Sequence, residues 1–211
     1  MFENQERVES YLQEISDQES PLLKRIYRQT YLTQAMPHMI SGHYQGRVLS
    51  MLSKMLRPKR ILEIGTFTGY ATLCLAEGLV EGGELHTIDI NEELQERVQG
   101  YFDASDYSEQ IHYHIGDALD IIDTLSGSFD MVFIDADKKR NLVYYDMLID
   151  RLSSGAVILI DNVLWKGKVF EDKVDNQTKQ VLELNNTLAK DSRIEKLILP
   201  IRDGLFVMRK K

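Results

Sequence analysis

Acidic and amide side chains follow two almost wholly apolar runs in the second half of the chain. Residues 129–134 lead into Asp135, and residues 156–160 lead into Asp161 and Asn162. If the two runs are neighbouring parallel strands, their ends meet at one edge of the sheet and bring these side chains together. Two carboxylates and an amide oxygen form an all-oxygen ligand set that suits Mg²⁺, with Ca²⁺ or Mn²⁺ as alternatives. The sequence therefore predicts a metal site at Asp135, Asp161 and Asn162.

Lys138 stands three residues after Asp135 and adds a basic group to this site. A hydroxyl is a poor nucleophile until it loses its proton, and a divalent cation bound to its oxygen stabilises the oxyanion. Lys138 would then remove the proton as a general base, so we expect both Lys138 and Asp135 to act in catalysis. A plainer interpretation also stands, in which Asp161 and Asn162 only form a turn and Asp135 caps the next helix.

A glycine-rich turn follows an earlier short run of β type. Residues 63–70 read E-I-G-T-F-T-G-Y, which is a G-x-x-x-G pattern and not the G-x-G-x-x-G pattern of dinucleotide sites. A side chain at Gly65 or Gly69 would block the close approach of a ligand. Because the middle glycine is missing, the turn leaves less room for a pyrophosphate. The turn therefore favours a nucleoside ligand that carries no phosphate.

Two further acids end the next two runs of β type. Asp89 follows residues 84–88, where an acid can accept hydrogen bonds from both ribose hydroxyls of a nucleoside. Asp117, between Gly116 and Ala118, follows residues 111–115, where an acid could meet the adenine amino group. Taken alone, the turn is a common loop and Asp117 could be a helix N-cap. Together, the three strand ends predict a site for S-adenosylmethionine.

An NAD(P)-binding oxidoreductase, or a nucleotide-binding module without methyl transfer, is the alternative of another class. Such a protein would have no use for Asp135, Lys138 or the Asp161-Asn162 pair. A structural interaction protein would leave all the strand-end acids without a role.

The elements that must position these residues fall into two regions. Residues 1–58 have helical apolar spacing, with Pro21 and Pro37 as breaks and a loop at residues 36–42. From residue 60, five short runs of β type alternate with stretches long enough for crossover helices, which indicates a parallel sheet covered on both faces. These runs are residues 60–64, 84–88, 111–115, 129–134 and 156–160.

Two last runs, residues 193–199 and 205–209, flank an Asp-Gly turn and predict an antiparallel hairpin. The predicted fold is therefore α/β: a Rossmann-like three-layer sandwich around a mostly parallel seven-stranded sheet, with N-terminal helices. This is the layout of class I methyltransferases. We expect one domain over residues 1–211, with a helical cap at 1–58 and a Rossmann-like core at 59–211.

Composition limits the remaining choices. The chain has 211 residues, of which 43% are hydrophobic, and this is enough to bury a full core. Its net charge of -8 argues against broad binding to nucleic acid, which depends on Lys and Arg. A single cysteine, Cys74, excludes an internal disulfide and is interpreted as a core residue. With no secretory signal and no apolar run near the roughly 20 residues that span a bilayer, we expect a cytoplasmic protein without a membrane partner.

Residues 63–70, 135–138 and 161–162 resemble the cation-dependent O-methyltransferase family, which includes catechol and caffeoyl-CoA O-methyltransferases and many bacterial enzymes. The resemblance covers about residues 35–211. It implies that Asp135, Asp161 and Asn162 bind the metal and that Lys138 is the general base. The resemblance and the strand-end pattern together imply a set of residues that would bind the cofactor. They are Met39, Glu63, Gly65, Thr66, Gly69, Tyr70, Ala71, Asp89, Gly116, Asp117, Ala118 and Asp135. Among them, Met39 would touch the methionine end, and Ala71 stands where the family often has serine.

The resemblance implies methyl transfer to a metal-bound hydroxyl of a catechol-like small molecule, and a homodimer as the common state of related enzymes. A bacterial branch instead methylates 5-hydroxyuridine at the wobble position of transfer RNA, and this chain is similar to it in length. One predicted helix carries a basic and aromatic set: Lys24, Arg25, Tyr27, Arg28 and Tyr31. The set could contact RNA, although solvated charges over core tyrosines are the favoured interpretation. Trp165, after the predicted metal ligands, could stack on a ring of either acceptor.

Overall fold

One mixed sheet organises the computed structural model, which describes residues 5–211. Its strands in the described chain are β1 (Arg60–Ile64), β2 (Glu84–Asp89), β3 (Ile111–Ile115), β4 (Met131–Ile134), β5 (Val157–Asp161), β6 (Ile194–Leu199) and β7 (Leu205–Lys210). Their order is β3-β2-β1-β4-β5-β7-β6. The first five are parallel, and β7 runs antiparallel to both β5 and β6. The predicted class I methyltransferase layout, with its terminal hairpin, is thereby confirmed.

The helices lie on both faces of this sheet. They are α1 (Gln5–Ile15), α2 (Pro21–Thr33), α3 (Gly42–Leu56), α4 (Tyr70–Ala76), α5 (Gln95–Asp103), α6 (Ala118–Thr124), α7 (Asn141–Ile149) and α8 (Asn176–Lys190). The predicted helical region at residues 1–58 is confirmed from residue 5, while its first four residues lie outside the described part. The predicted loop at 36–42 contains one short 3₁₀ turn, Pro37–Met39.

Apolar side chains alternate between the two faces of the central strands. On one face, Ile134 and Ile160 join a cluster with α6, α7 and α8. On the other face, Phe133 and Leu159 pack against residues of α3, α4 and α5. All residues of β4 are buried, as expected for a central strand covered on both sides. Cys74 lies fully buried in the second cluster, so its interpretation as a core residue is confirmed.

The N-terminal helices are joined to the rest of the fold at its centre. Ser53 on α3 donates to the Leu75 carbonyl on α4 at 2.6 Å. Thr30 on α2 donates to Thr68 in the glycine-rich turn at 3.0 Å. The turn that would hold a nucleoside is therefore supported directly by α2. Within residues 5–211, none of the helices has both the length and the apolar character that crossing a bilayer requires.

Candidate active site

The ends of β4 and β5 bring two carboxylates to the same edge of the sheet. Ile134 pairs with Ile160 in parallel register, so Asp135 and Asp161 both lie one step beyond this pair. Asp161 is only 3% exposed. Burial and then the negative charge of Asp135 raise the pKa of the Asp161 carboxyl to about 6. The charge of Asp135 therefore acts on the Asp161 carboxyl across this edge of the sheet.

Lys138 and Asn162 complete this cluster. The Lys138 ammonium donates to Asp135 Oδ1 at 2.8 Å, and both side chains are largely buried. The Asn162 N–H donates to Asp161 Oδ1 at 2.8 Å, and Asn162 has a left-handed backbone with φ of 61°. Asp161 is the last residue of β5, and Asn162 leads the chain away from the strand. Asp135 does not cap the next helix, because Arg140 stands at that position of α7.

Two residues that the sequence did not reveal position Asp161, one by direct contact and the other through the first. Gln45 on α3 is 1% exposed, and its Nε2 donates to Asp161 Oδ2 at 2.7 Å. Arg202, in the turn between β6 and β7, donates to Gln45 Oε1 at 3.3 Å. The same guanidinium binds the carbonyls of His38, Ile40 and Ser41. Arg202 itself has a left-handed backbone (φ 48°), an uncommon conformation for a residue that is not glycine.

The glycine-rich turn is shaped by contacts inside the protein. A Cβ at Gly65, where φ is 104°, would collide with the Asp135 carbonyl group. A Cβ at Gly69, where φ is 77°, would lie 2.7 Å from the Phe102 ring. The sequence interpretation gave ligand approach as the reason for these glycines. The structure supplies another reason, since the turn must fit against β4 and α5 at positive φ.

Asp89, the last residue of β2, and Asp117, which follows β3, both bind main-chain groups. Asp89 Oδ2 accepts from the Phe67 N–H in the glycine-rich turn at 2.6 Å. Asp117 Oδ1 accepts from the Leu119 N–H at 3.0 Å, so Asp117 is the N-cap of α6. Its other oxygen pairs with Arg140 at 2.6 Å, and this hydrogen bond lowers the pKa of Asp117. Both acids stand at the predicted edge, although each already has protein partners.

Glu63 is the buried acid beneath this edge. Its Oε2 accepts hydrogen bonds from Thr72 at 2.5 Å and Thr87 at 2.6 Å. Its Oε1 is buried and has no hydrogen-bond partner among the described residues. Burial raises the pKa of Glu63 to about 8, so the group is mostly protonated at pH 7. The hydroxyl of Thr66 bonds Thr87 at 2.6 Å and closes this small network.

The other predicted cofactor residues differ in placement. Met39 lies half-exposed ahead of α3. Tyr70 is buried in the core and its hydroxyl donates to Glu19, so only its main chain could face a cofactor. Ala71 is buried beside it on α4, and Gly116 follows β3 with φ of 151°.

A cleft of about 990 Å³ lies beside Gln45, the residue that holds Asp161. Gln45 and Arg202 form part of its wall, together with Tyr27 and Tyr31. The two tyrosines are 37% and 49% exposed, and their ring centroids are 4.8 Å apart. The interpretation of these residues as core tyrosines is wrong, because α2 buries Leu23, Ile26 and Thr30 instead.

The basic residues of α2, and one that follows the predicted metal ligands, differ in their contacts. The Arg25 guanidinium lies 5.8 Å from the centroid of the Tyr101 ring, while Lys24 and Arg28 are exposed. After the predicted metal ligands, Lys168 pairs with Asp175 at 2.9 Å.

Comparison with known proteins gives a consistent result. The O-methyltransferase family matches residues 13–211 of the chain. Caffeoyl-CoA O-methyltransferase 1 of Nicotiana tabacum is 37% identical over 185 residues, which cover 82% of this chain and 77% of the relative. Caffeoyl-CoA O-methyltransferase 1 of Eucalyptus globulus is 38% identical over 184 residues, with 82% and 75% covered.

Solved structures agree with the sequence comparison. The O-methyltransferase TomG of Streptomyces achromogenes, in complex with S-adenosylmethionine, superposes with a TM-score of 0.90 at 29% identity over the whole of both chains. The methyltransferase PaMTH1 of Podospora anserina, bound to S-adenosylhomocysteine, gives 0.91 at 26% identity over 100% of this chain and 98% of that one. With this architecture, the strand-end acids and matches over most of its length, the chain belongs to the O-methyltransferase family.

Proposed function

We propose that the chain transfers the methyl group of S-adenosylmethionine to a substrate hydroxyl and uses a divalent cation, Mg²⁺ foremost, held by Asp135, Asp161 and Asn162. The observation that carries this proposal is the pair of acids at the ends of β4 and β5, one of them bound to Lys138. Ca²⁺ and Mn²⁺ share the preference for oxygen ligands and are the other candidates.

The residues present fit a cation. Asp135 and Asp161 carry like charges, and the Lys138 ammonium contacts Asp135 as their counter-charge, so a bound cation would relieve the remaining repulsion. Asp161 is already oriented by the Gln45 amide and the Asn162 N–H. Outer partners of this kind fix a metal ligand in its binding orientation.

The residues also fit a cationic nucleoside. Glu63 Oε1 is a buried polar atom that lacks a partner in the described chain, and such atoms call for an explanation. A sulfonium or ammonium group of the cofactor near Glu63 would favour ionisation of this acid. Asp89 and Asp117 stand at the next two strand ends, where the ribose and the adenine are expected.

The proposed division of labour follows from these contacts. When bound, S-adenosylmethionine supplies the methyl group, and a divalent cation supplies charge that favours the ionised substrate hydroxyl. After its ammonium group has released a proton to solvent, Lys138 accepts the hydroxyl proton as a neutral amine, and Asp135 holds it in position at 2.8 Å. Gln45 and Arg202 keep Asp161 in one orientation. Alignment of donor and acceptor then provides much of the rate.

A catechol-like phenol is the first candidate acceptor, in keeping with the caffeoyl-CoA O-methyltransferases among the relatives. The 5-hydroxyuridine of transfer RNA is the second candidate, and the exposed tyrosines favour it. Tyr27 and Tyr31 offer aromatic faces in the cleft, with exposed Lys24 and Arg28 on the same helix. The net charge of -8 weighs against this candidate.

The NAD(P) alternative predicts binding of NADH and gives no role to Lys138. Calorimetry with S-adenosylmethionine and with NADH distinguishes the two, because we expect heat only from the first.

We further propose one functional domain, because α2 supports the cofactor turn through Thr30. A cytoplasmic homodimer, as in related enzymes, is the proposed state, and light scattering would test the subunit number.

Methylation of a catechol and of hypomodified transfer RNA, each with Mg²⁺ and with a chelator, tests the proposal. We expect activity on one acceptor that the chelator removes. Asp161→Ala should abolish turnover while the protein still binds S-adenosylmethionine. Undiminished turnover by this variant would refute the proposed metal role.

A further inference from the structure

A second cluster of ligand-forming side chains lies on β2 and β3, away from the proposed active site. Residues two apart in a strand share a face, so Glu84 and His86 point to the same side of β2. His112, the register partner of His86, points to that side of the edge strand β3, as does His114. Glu84 is the first residue of β2, whereas Asp135 follows the carboxyl end of β4 and Asp161 is the last residue of β5. The cluster therefore belongs to another part of the sheet.

The distances within this cluster are those of a preformed ligand set. Glu84 Oε1 lies 3.4 Å from His86 Nε2, and Glu84 Oε2 lies 3.7 Å from His112 Nε2. The ligand atoms of all three residues lie within 4.8 Å of one another. Two tetrahedral ligands of zinc are about 3.3 Å apart, because each sits about 2.0–2.1 Å from the ion. The two Glu84 spacings are close to this value.

We propose that Glu84, His86 and His112 form a second metal site, which binds a borderline cation such as Zn²⁺. Two imidazoles and a carboxylate suit zinc, in contrast to the all-oxygen set at Asp135 and Asp161. Closing the site requires a small movement of the His112 ring toward His86. The His112 side chain is 43% exposed and that of Glu84 is 37% exposed, so the ring has room to move and an ion can enter from solvent.

His114 supplies the outer partner that a histidine ligand needs. His86 Nδ1 and His114 Nε2 are 3.0 Å apart, so one hydrogen bond fixes the His86 ring and leaves its Nε2 facing Glu84. Histidine ligands commonly have such a partner on the other ring nitrogen. Burial lowers the pKa of both His86 and His114, and a metal binds the neutral imidazole.

Arg60 is the group that competes with a cation. Its Nε bonds Glu84, and its Nη2 lies 3.4 Å from His86 Nε2. The guanidinium also holds the Ser126 carbonyl at 2.6 Å and lies 4.8 Å from the centroid of the Phe129 ring, so it has other contacts when it releases Glu84. Because a cation must displace this ion pair, Arg60 lowers the affinity. Replacing Arg60 by methionine should therefore tighten binding.

Calorimetric titration of the full chain with Zn²⁺, in a buffer that contains excess Mg²⁺, tests the site. An Asp161→Ala background removes the other candidate metal site. We expect one Zn²⁺ per chain and a rise in Tm with zinc concentration. His112→Ala should weaken binding at least tenfold, and Arg60→Met should strengthen it severalfold.

His43→Ala is the matched control, because His43 is a histidine of the N-terminal region outside the cluster. We expect zinc affinity to stay unchanged in this variant. Unaltered zinc affinity in a folded His112→Ala variant, or equal losses in His112→Ala and His43→Ala, would overturn the proposal. The outcome does not depend on methyl transfer, so it is separate from the fate of the proposed function.

Discussion

Replacing Gln45 by leucine removes the amide that holds Asp161 and leaves the proposed cation ligands in place. Gln45 Nε2 donates to Asp161 Oδ2 at 2.7 Å inside the protein. Leucine fills most of the same volume but offers no donor. Arg202 keeps its carbonyl contacts to the segment before α3, so the turn between β6 and β7 should stay in place.

The magnitude follows from the type of bond that is lost. A buried hydrogen bond to a charged group contributes about 1.5–3 kcal/mol. If the bond serves chiefly to orient Asp161 for the cation, its loss should weaken Mg²⁺ binding by about 10–100-fold. The Gln45 amide also holds down the pKa of Asp161. Without it, the pKa of Asp161 in the metal-free chain rises further, so protons compete more strongly with Mg²⁺ and the acid limb of activity at limiting Mg²⁺ moves to higher pH.

Two measurements on Gln45→Leu test this reasoning. Activity as a function of Mg²⁺ concentration should give a raised half-saturation point, and excess Mg²⁺ should restore most of the rate. The affinity for S-adenosylmethionine should change little. Gln110→Leu is the matched control, since the Gln110 side-chain amide donates to the Val80 and Gly83 carbonyls in the segment before β2. If both variants have the Mg²⁺ dependence of the wild-type chain, Gln45 does not position Asp161 for a cation.

Four further changes have expected outcomes. Lys138→Met should lower kcat by about 10²–10⁴-fold with Mg²⁺ affinity retained, and a normal kcat would exclude Lys138 as the base. When S-adenosylmethionine binds the wild-type chain near pH 7, we expect Glu63 to release a proton, and Glu63→Gln should abolish this release. Calorimetry in two buffers of different ionisation enthalpy measures the release, and equal release by both chains would contradict the expectation. Gly65→Ala should lower stability by about 1–3 kcal/mol in urea unfolding, because the residue needs positive φ and has no room for a Cβ; an unchanged midpoint would contradict the packing argument. The pKa of His86 is lowered in the fold, so the unfolded chain binds more protons below about pH 6.5, and the stability of the fold decreases as the pH is lowered. His86→Gln should flatten the dependence of Tm on pH in this range, and a slope identical to that of the wild-type chain would count against this reasoning.

The strands and the strand-end acids could be predicted because their signals are local. The apolar runs that end at Ile134 and Ile160 have the length and composition of buried strands, and Asp135 and Asp161 follow them directly. Parallel neighbours then place both acids at one edge. The Asp203-Gly204 turn similarly marked the terminal hairpin.

Gln45 and Arg202 could not be predicted, because no local pattern links them to Asp161. Gln45 is 116 positions from Asp161 in the chain, and only the packing of α3 brings them together. The interpretation of Tyr27 and Tyr31 as core residues was wrong for a related reason. Helical spacing places Tyr27 and Tyr31 on one face of α2, but it does not say whether that face meets the core or a cleft.

Locating Mn²⁺ by its anomalous scattering in crystals grown with S-adenosylhomocysteine would test the central claim most directly. The account predicts an ion bound by side-chain oxygens of Asp135, Asp161 and Asn162, beside the cofactor. An ion bound only elsewhere, or Asp135 and Asp161 turned apart with the cofactor in place, would contradict it.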